Sequence, residues 1–173
     1  MKKSANMYFP VLEDLKRVNK IEIDLLDWWV GTRKKNTWKY LNPLQFSVDC
    51  GISDETALNL FVECTLQEDV KLFEVRTLLR CPQCRTVISK ENGTFNIENK
   101  FPNKCSDCRE SIDYELLKDD IEIYFSLLVP PSPTTISKHM PLGGEAKKVV
   151  ALTIQSAQQI SSNGALAKLL DFN

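Results

Sequence analysis

Long hydrophobic runs are missing from this chain of 173 residues. The longest, Ile123 to Val129, is interrupted by Ser126 and falls far short of the roughly 18 residues that a membrane span needs, so no transmembrane helix and no membrane partner are expected. Met1 to Pro10 lacks an apolar stretch and a small-residue cleavage site, which argues against a secretory signal and for a cytoplasmic protein. Histidine is nearly absent. The one copy, His139, stands beside Met140 and Pro141, with no nucleophile or ligand spacing around it. The chain also has no glycine-rich phosphate loop and no Gly-x-Ser-x-Gly turn. Asp119, Asp120 and Glu122 read as the solvated approach to a strand. Together these absences predict a protein that is not an enzyme.

An excess of one charge is lacking as well: 22 basic residues face 23 acidic ones. Residues 1–46 nevertheless hold nine basic and five acidic side chains, and residues 47–80 hold three and seven. Only the first stretch is basic enough to meet a polyanion. The 43% apolar share is that of a globular chain with a core.

Six cysteines are present, at 50, 64, 81, 84, 105 and 108. Four of them form two Cys-x-x-Cys pairs, Cys81/Cys84 and Cys105/Cys108. Each pair can bend so that both sulfurs face one ion, and two pairs supply four thiolates for a tetrahedral Zn²⁺ with bonds of about 2.3 Å. Four thiolates leave no position for an activated water, so one structural zinc is expected as the cofactor, worth on the order of 10 kcal/mol to a unit too small to fold alone. Cys50 and Cys64 lie outside this spacing and read as buried small hydrophobes. Between the pairs the sequence predicts a hairpin: Arg85 to Ser89, a turn at Glu91-Asn92-Gly93, then Thr94 to Ile97.

On Cys81-Pro82-Gln83-Cys84 and Cys105-Ser106-Asp107-Cys108 the chain resembles a zinc ribbon over about residues 78 to 128. It departs from the commonest form of that pattern, because Arg85 and Arg109 follow the pairs where glycine is usual. Zinc ribbons serve as nucleic-acid binders and as protein-docking modules, so the resemblance implies a fold element more than an activity.

Upstream, Leu12 to Val30 predicts one or two helices. Asn42-Pro43 opens another that breaks at Cys50-Gly51, and Ser53-Asp54-Glu55 opens the next. Val70 to Leu79 and Asp120 to Val129 alternate as strands. Two short helices followed by strands resemble a helix-turn-helix, or winged helix. The expected fold class is therefore α+β: a winged-helix-like helical unit with a small antiparallel sheet (residues 1–79), a four-cysteine zinc ribbon with a closing strand (80–129), a Pro/Gly-rich linker (130–144) and an amphipathic helical tail (145–173).

The second helix of the pair would face a DNA groove with Glu55, Thr56, Asn59, Glu63 and Gln67. That face, within residues 55–67, has no cation, which suits a protein partner better than DNA. The tail offers Val150, Ile154, Ala157, Leu166, Leu169, Leu170 and Phe172. Separated by prolines, it is expected to lie in a groove of a partner, docking on its own body being the competing reading. The sequence thus predicts an adaptor or accessory subunit, and its outline resembles accessory components of microbial defence or signalling machinery. The alternative is a DNA- or RNA-binding regulator, acting through the ribbon and the patch of Arg33, Lys34, Lys35, Trp38 and Lys39, where cations interleave with aromatics.

Overall fold

A computed structural model describes residues 7–93, 102–113, 120–133, 149–161 and 164–169. Helices α1 (Lys20–Gly31), α2 (Pro43–Cys50) and α3 (Asp54–Leu66) precede three strands, β1 (Phe73–Arg80), β2 (Val87–Asn92) and β3 (Ile121–Leu127). Two short helices follow, α4 (Ile154–Ile160) and α5 (Ala165–Leu169). The strands form one antiparallel sheet in the order β2-β1-β3, and the chain is α+β. No helix among the described residues is long and apolar enough to cross a membrane.

The helix boundaries follow local chemistry. The Asn42 side chain accepts the Leu44 N–H at 3.0 Å, Pro43 fills the first helical position, and Gly51 at φ 67° ends α2 in the left-handed region. The Ser53 hydroxyl accepts the Thr56 N–H at 3.1 Å to start α3. Before α1, Pro10–Arg17 forms a 3₁₀ helix. Of the turn expected at Glu91-Asn92-Gly93, the first two residues instead continue β2, paired with Thr77 and Arg76 of β1, and Gly93 follows at φ 84°. Thr94 to Ile97 lies outside the described residues.

Alternation along β1 sends Phe73, Val75, Thr77 and Leu79 to the core and Glu74, Arg76 and Arg80 to the opposite face. The core side meets α3 through aromatic rings. Phe61 stacks on Phe73 at 4.7 Å and meets Phe125 of β3 edge-on at 5.1 Å, while Trp29 of α1 packs edge-on against Phe46 at 5.4 Å. Such contacts add on the order of 1 kcal/mol each beyond the buried area.

The first chain segment is tied down by α1. Buried Asp27 accepts the N–H groups of Tyr8 (3.1 Å) and Phe9 (2.7 Å), and Gly31 makes room for the Tyr8 ring, which a Cβ there would approach within 2.2 Å. The proline stretch after β3 returns to the same place, where the Ser132 N–H donates to the Tyr8 carbonyl at 2.8 Å.

The tail differs from its expected role as a free docking segment. Residues 149–153 run beside β3, the Ile123 N–H donating to the Leu152 carbonyl at 2.7 Å and the Asn42 amide to the Val150 carbonyl at 3.0 Å. Thr153 caps α4 in a reciprocal box with Ser156, so the helix starts well after Glu145. Helices α4 and α5 both pack on α3. Ile154, Ala157 and Leu169, expected to wait for a partner, are buried in the chain's own core, together with Leu152. Val150 remains 77% exposed. The Leu166 side chain, Leu170 and Phe172 lie outside the described residues, as does His139. The apolar face was legible, but what it covers was not, since nothing in the α3 sequence points to the tail.

The expected division between residues 79 and 80 falls inside β1. Both strands that pair with β1 come after that point. The helical unit and the cysteine segment therefore share one sheet.

Candidate metal centre

The first cysteine pair is the turn of the β1–β2 hairpin. Arg80 ends β1 opposite Val87, with a bulge between Leu79 and Arg80, and the chain then closes on itself: the Cys81 N–H donates to the Thr86 carbonyl (2.9 Å) and the Arg85 N–H to the Cys81 carbonyl (2.9 Å). The second pair repeats the pattern. The Cys105 N–H donates to the Glu110 carbonyl and the Arg109 N–H to the Cys105 carbonyl, both at 3.0 Å, inside a bridge between Lys104 and Ser111. Arg85 and Arg109 sit at φ 63° and 61°. They adopt the left-handed geometry that glycine favours at these positions, so the departure in sequence changes the strain and not the turn.

The two turns bring the four sulfurs within 4.8 Å of one another. Cys81 and Cys108 stand 3.5 Å apart and Cys84 and Cys105 3.6 Å apart, close to the roughly 3.8 Å expected between ligands of a tetrahedral ion with bonds of about 2.3 Å. Cys81 and Cys105 are buried, and Cys84 and Cys108 face outward. This arrangement can hold one metal ion. The Thr86 side chain and then its amide, both beside the Cys84 sulfur, bring that thiol down to about 6, toward the thiolate form that a metal requires. At Cys108 the Glu110 amide acts in the same direction, but desolvation and the neighbouring sulfurs of Cys81, Cys84 and Cys105 prevail and push it up to about 12. A cation at the centre replaces that crowding with attraction. Cys64 is buried and pushed up to about 12 by desolvation, and half-buried Cys50 to about 11 for the same first reason. Neither joins the cluster.

Polar contacts clamp the centre to the sheet. The Thr86 hydroxyl donates to Asp107 (2.7 Å), joining the two turns. Arg85 pairs with Asp120 at 2.5 Å, and Arg80 donates to Glu122 at 2.7 Å and to the Arg85 carbonyl at 3.3 Å. Glu122, expected in a solvated approach, is only 7% exposed and also accepts the Tyr124 phenol at 2.9 Å. Burial first, then this carboxylate, raises the phenol to about 12. Cross-strand pairing was the signal for this network, since β1 and β3 run antiparallel and place 78 opposite 122 and 76 opposite 124.

The basic patch is split. Arg33 turns inward, 3.9 Å over the Trp29 ring and ion-paired with Asp49, which also accepts the Trp29 indole at 2.8 Å and the Gln45 amide at 2.7 Å. Burial alone would raise the Asp49 carboxyl; those three hydrogen bonds and the Arg33 charge hold it below its ordinary range. Half-buried Trp38 donates its indole N–H to the Arg33 carbonyl at 3.1 Å. Lys34, Lys35 and Lys39 stay exposed. On α3, Glu55, Thr56, Asn59 and Glu63 are half-buried and only Gln67 is fully exposed.

Comparison with protein families, curated proteins and solved structures gives no match for this chain. Its reading rests on its own geometry. A groove of about 490 Å³ opens between the end of α3, β1 and α5, lined by Leu66, Phe73, Val75, Leu128 and Leu169 together with the charged Lys71, Lys168 and Glu74.

Proposed function

We propose that this protein is a non-enzymatic adaptor or accessory subunit: a winged-helix-like body whose wing is a zinc ribbon, held by one structural Zn²⁺ on Cys81, Cys84, Cys105 and Cys108. The observation that carries the reading is the all-cysteine donor set, whose four sulfurs lie within 4.8 Å. Such a set satisfies all four positions of tetrahedral zinc and leaves none for a substrate or water, which fits a scaffold and not a catalyst. The winged-helix description draws support from chain order. Leu41, between α1 and α2, bridges to Phe125 of β3 through a reciprocal pair of 2.9 Å hydrogen bonds, and β3 lies next to β1. The segment between β1 and β3, the place of a wing, carries the cysteines.

The protein partner in this reading docks at the groove beside α3 instead of gripping a free tail. Leu66 and Leu128, 42% and 45% exposed, line it and offer an apolar seat beside Lys71, Lys168 and Glu74. The test is an affinity capture of the tagged protein from its native cells after nuclease treatment, run beside a Leu66→Glu, Leu128→Glu variant. One stoichiometric protein that survives nuclease and disappears with the variant, whose melting is unchanged, supports the adaptor. Recovery of nucleic acid alone favours the regulator reading instead.

A further inference from the structure

Among the described residues, Arg76 has no ion-pair partner. Its Nε is shielded from water and has no hydrogen-bond partner, and Arg76 pairs with no carboxylate among the described residues, whereas Arg33, Arg80 and Arg85 each do. A partly buried guanidinium whose Nε–H is unmet is costly unless something completes it. It lies on the sheet face turned away from the core, opposite Tyr124 and Asn92, and stacks 4.8 Å over the ring of Tyr40. Tyr40 is 38% exposed and meets Tyr124 edge-on at 5.6 Å. On the same face, Glu122 of β3 is already taken by Arg80 and the Tyr124 phenol, and Glu74 of β1 makes no ion pair with Arg76 among the described residues. Exposed Lys34, Lys35 and Lys39 lie on the loop that leads into Tyr40, and none of them is ion-paired among the described residues.

The geometry points to a phosphate seat in which Arg76, backed by Tyr40, takes a backbone phosphate of single-stranded nucleic acid, with Lys39, Lys35 and Lys34 meeting the phosphates that follow. The guanidinium fork matches two phosphate oxygens, and an exposed tyrosine offers a base a stacking surface. A duplex is disfavoured, because α3, the helix that would enter a groove, bears no cation and is packed by α4 and α5. This site is separate from the groove of the adaptor reading and stands or falls without it.

The test is fluorescence anisotropy of the full zinc-loaded chain with labelled oligo(dT) of about 20 nucleotides. A matched duplex and polyglutamate serve as competitors. The expected result is binding that weakens steeply between about 50 and 200 mM salt, falls about tenfold or more in Arg76→Gln and in Tyr40→Ala, and is partly kept in Arg76→Lys. Lys35→Gln should lower the salt slope by about one. Melting curves of each variant separate lost contact from lost fold, and Tyr40→Ala carries the test where Arg76→Gln melts early. No binding by the parent chain, binding that Arg76→Gln leaves intact, equal affinity for the duplex, or displacement by polyglutamate as effective as by unlabelled strand would each overturn the proposal. The last outcome reassigns the seat to an acidic protein segment.

Discussion

Arg109 holds φ 61°, a setting that glycine reaches without a Cβ clash, and it has no ion pair among the described residues. Arg109→Gly should therefore raise stability, by up to about 1 kcal/mol once the looser unfolded chain is counted. Calorimetry of the zinc-loaded variant checks this, an unchanged or lower Tm refuting the strain. At Arg85 the same substitution also removes the pairs to Asp120 and Glu122, so its gain should be smaller or reversed. Asp49 carries a pH signature. Its folded carboxyl titrates below its ordinary value, so its contribution is full above about pH 4 and fades as pH falls through the depressed folded value. Asp49→Asn should cost about 1–3 kcal/mol near neutrality, and the gap to the parent should narrow in urea melts below pH 4.

Tyr8 and Gly31 decide how the first segment meets α1. Gly31→Ala drives a methyl group into the Tyr8 ring and should cost about 1–3 kcal/mol, as overpacking does. Tyr8→Ala in the same background should recover part of the loss, and a double-mutant cycle measures it. The tail makes a similar claim at larger scale. Ala157→Asp puts an unpaired charge against α3 and should lower Tm clearly, whereas a tail waiting for a partner would tolerate it. Sequence made the helix starts and the end of α2 legible, because Asn42, Pro43, Ser53 and Gly51 act on atoms within a few residues of themselves. The cysteine cluster was legible for the same reason, its spacing being a local geometric statement. The tail's docking, the inward turn of Arg33 to Asp49 and the Arg80–Glu122 pair across the sheet were not. Each joins residues far apart in the chain, and composition alone does not say which distant surface an apolar or charged side chain will meet.

For the whole molecule, an ion held by the four cysteines would be the main lever. One ion per chain is expected by native mass spectrometry, and Cys81→Ser or Cys105→Ser should lower Tm strongly, since both sulfurs are buried within the cluster. Protons compete for thiolates, so the ion should leave as pH falls, read with a chromogenic chelator. Full thermal stability in a zinc-free chain would sink the structural role. Exposed Cys84, its thiol brought down to about 6, should react with a thiol reagent only after the ion departs, ahead of Cys108, which is pushed up to about 12.

β1 begins at Phe73, stacked on the Phe61 ring, and ends at Arg80, one residue before a cysteine ligand. β1 is paired on both sides over residues 76–79, with a bulge before Arg80, so a displacement at the cysteine centre should pass along the strand to the aromatic core. Metal loss should then shift the fluorescence of Trp29, which touches Phe61 from the far side of the core, making that indole a built-in reporter of an ion it never contacts.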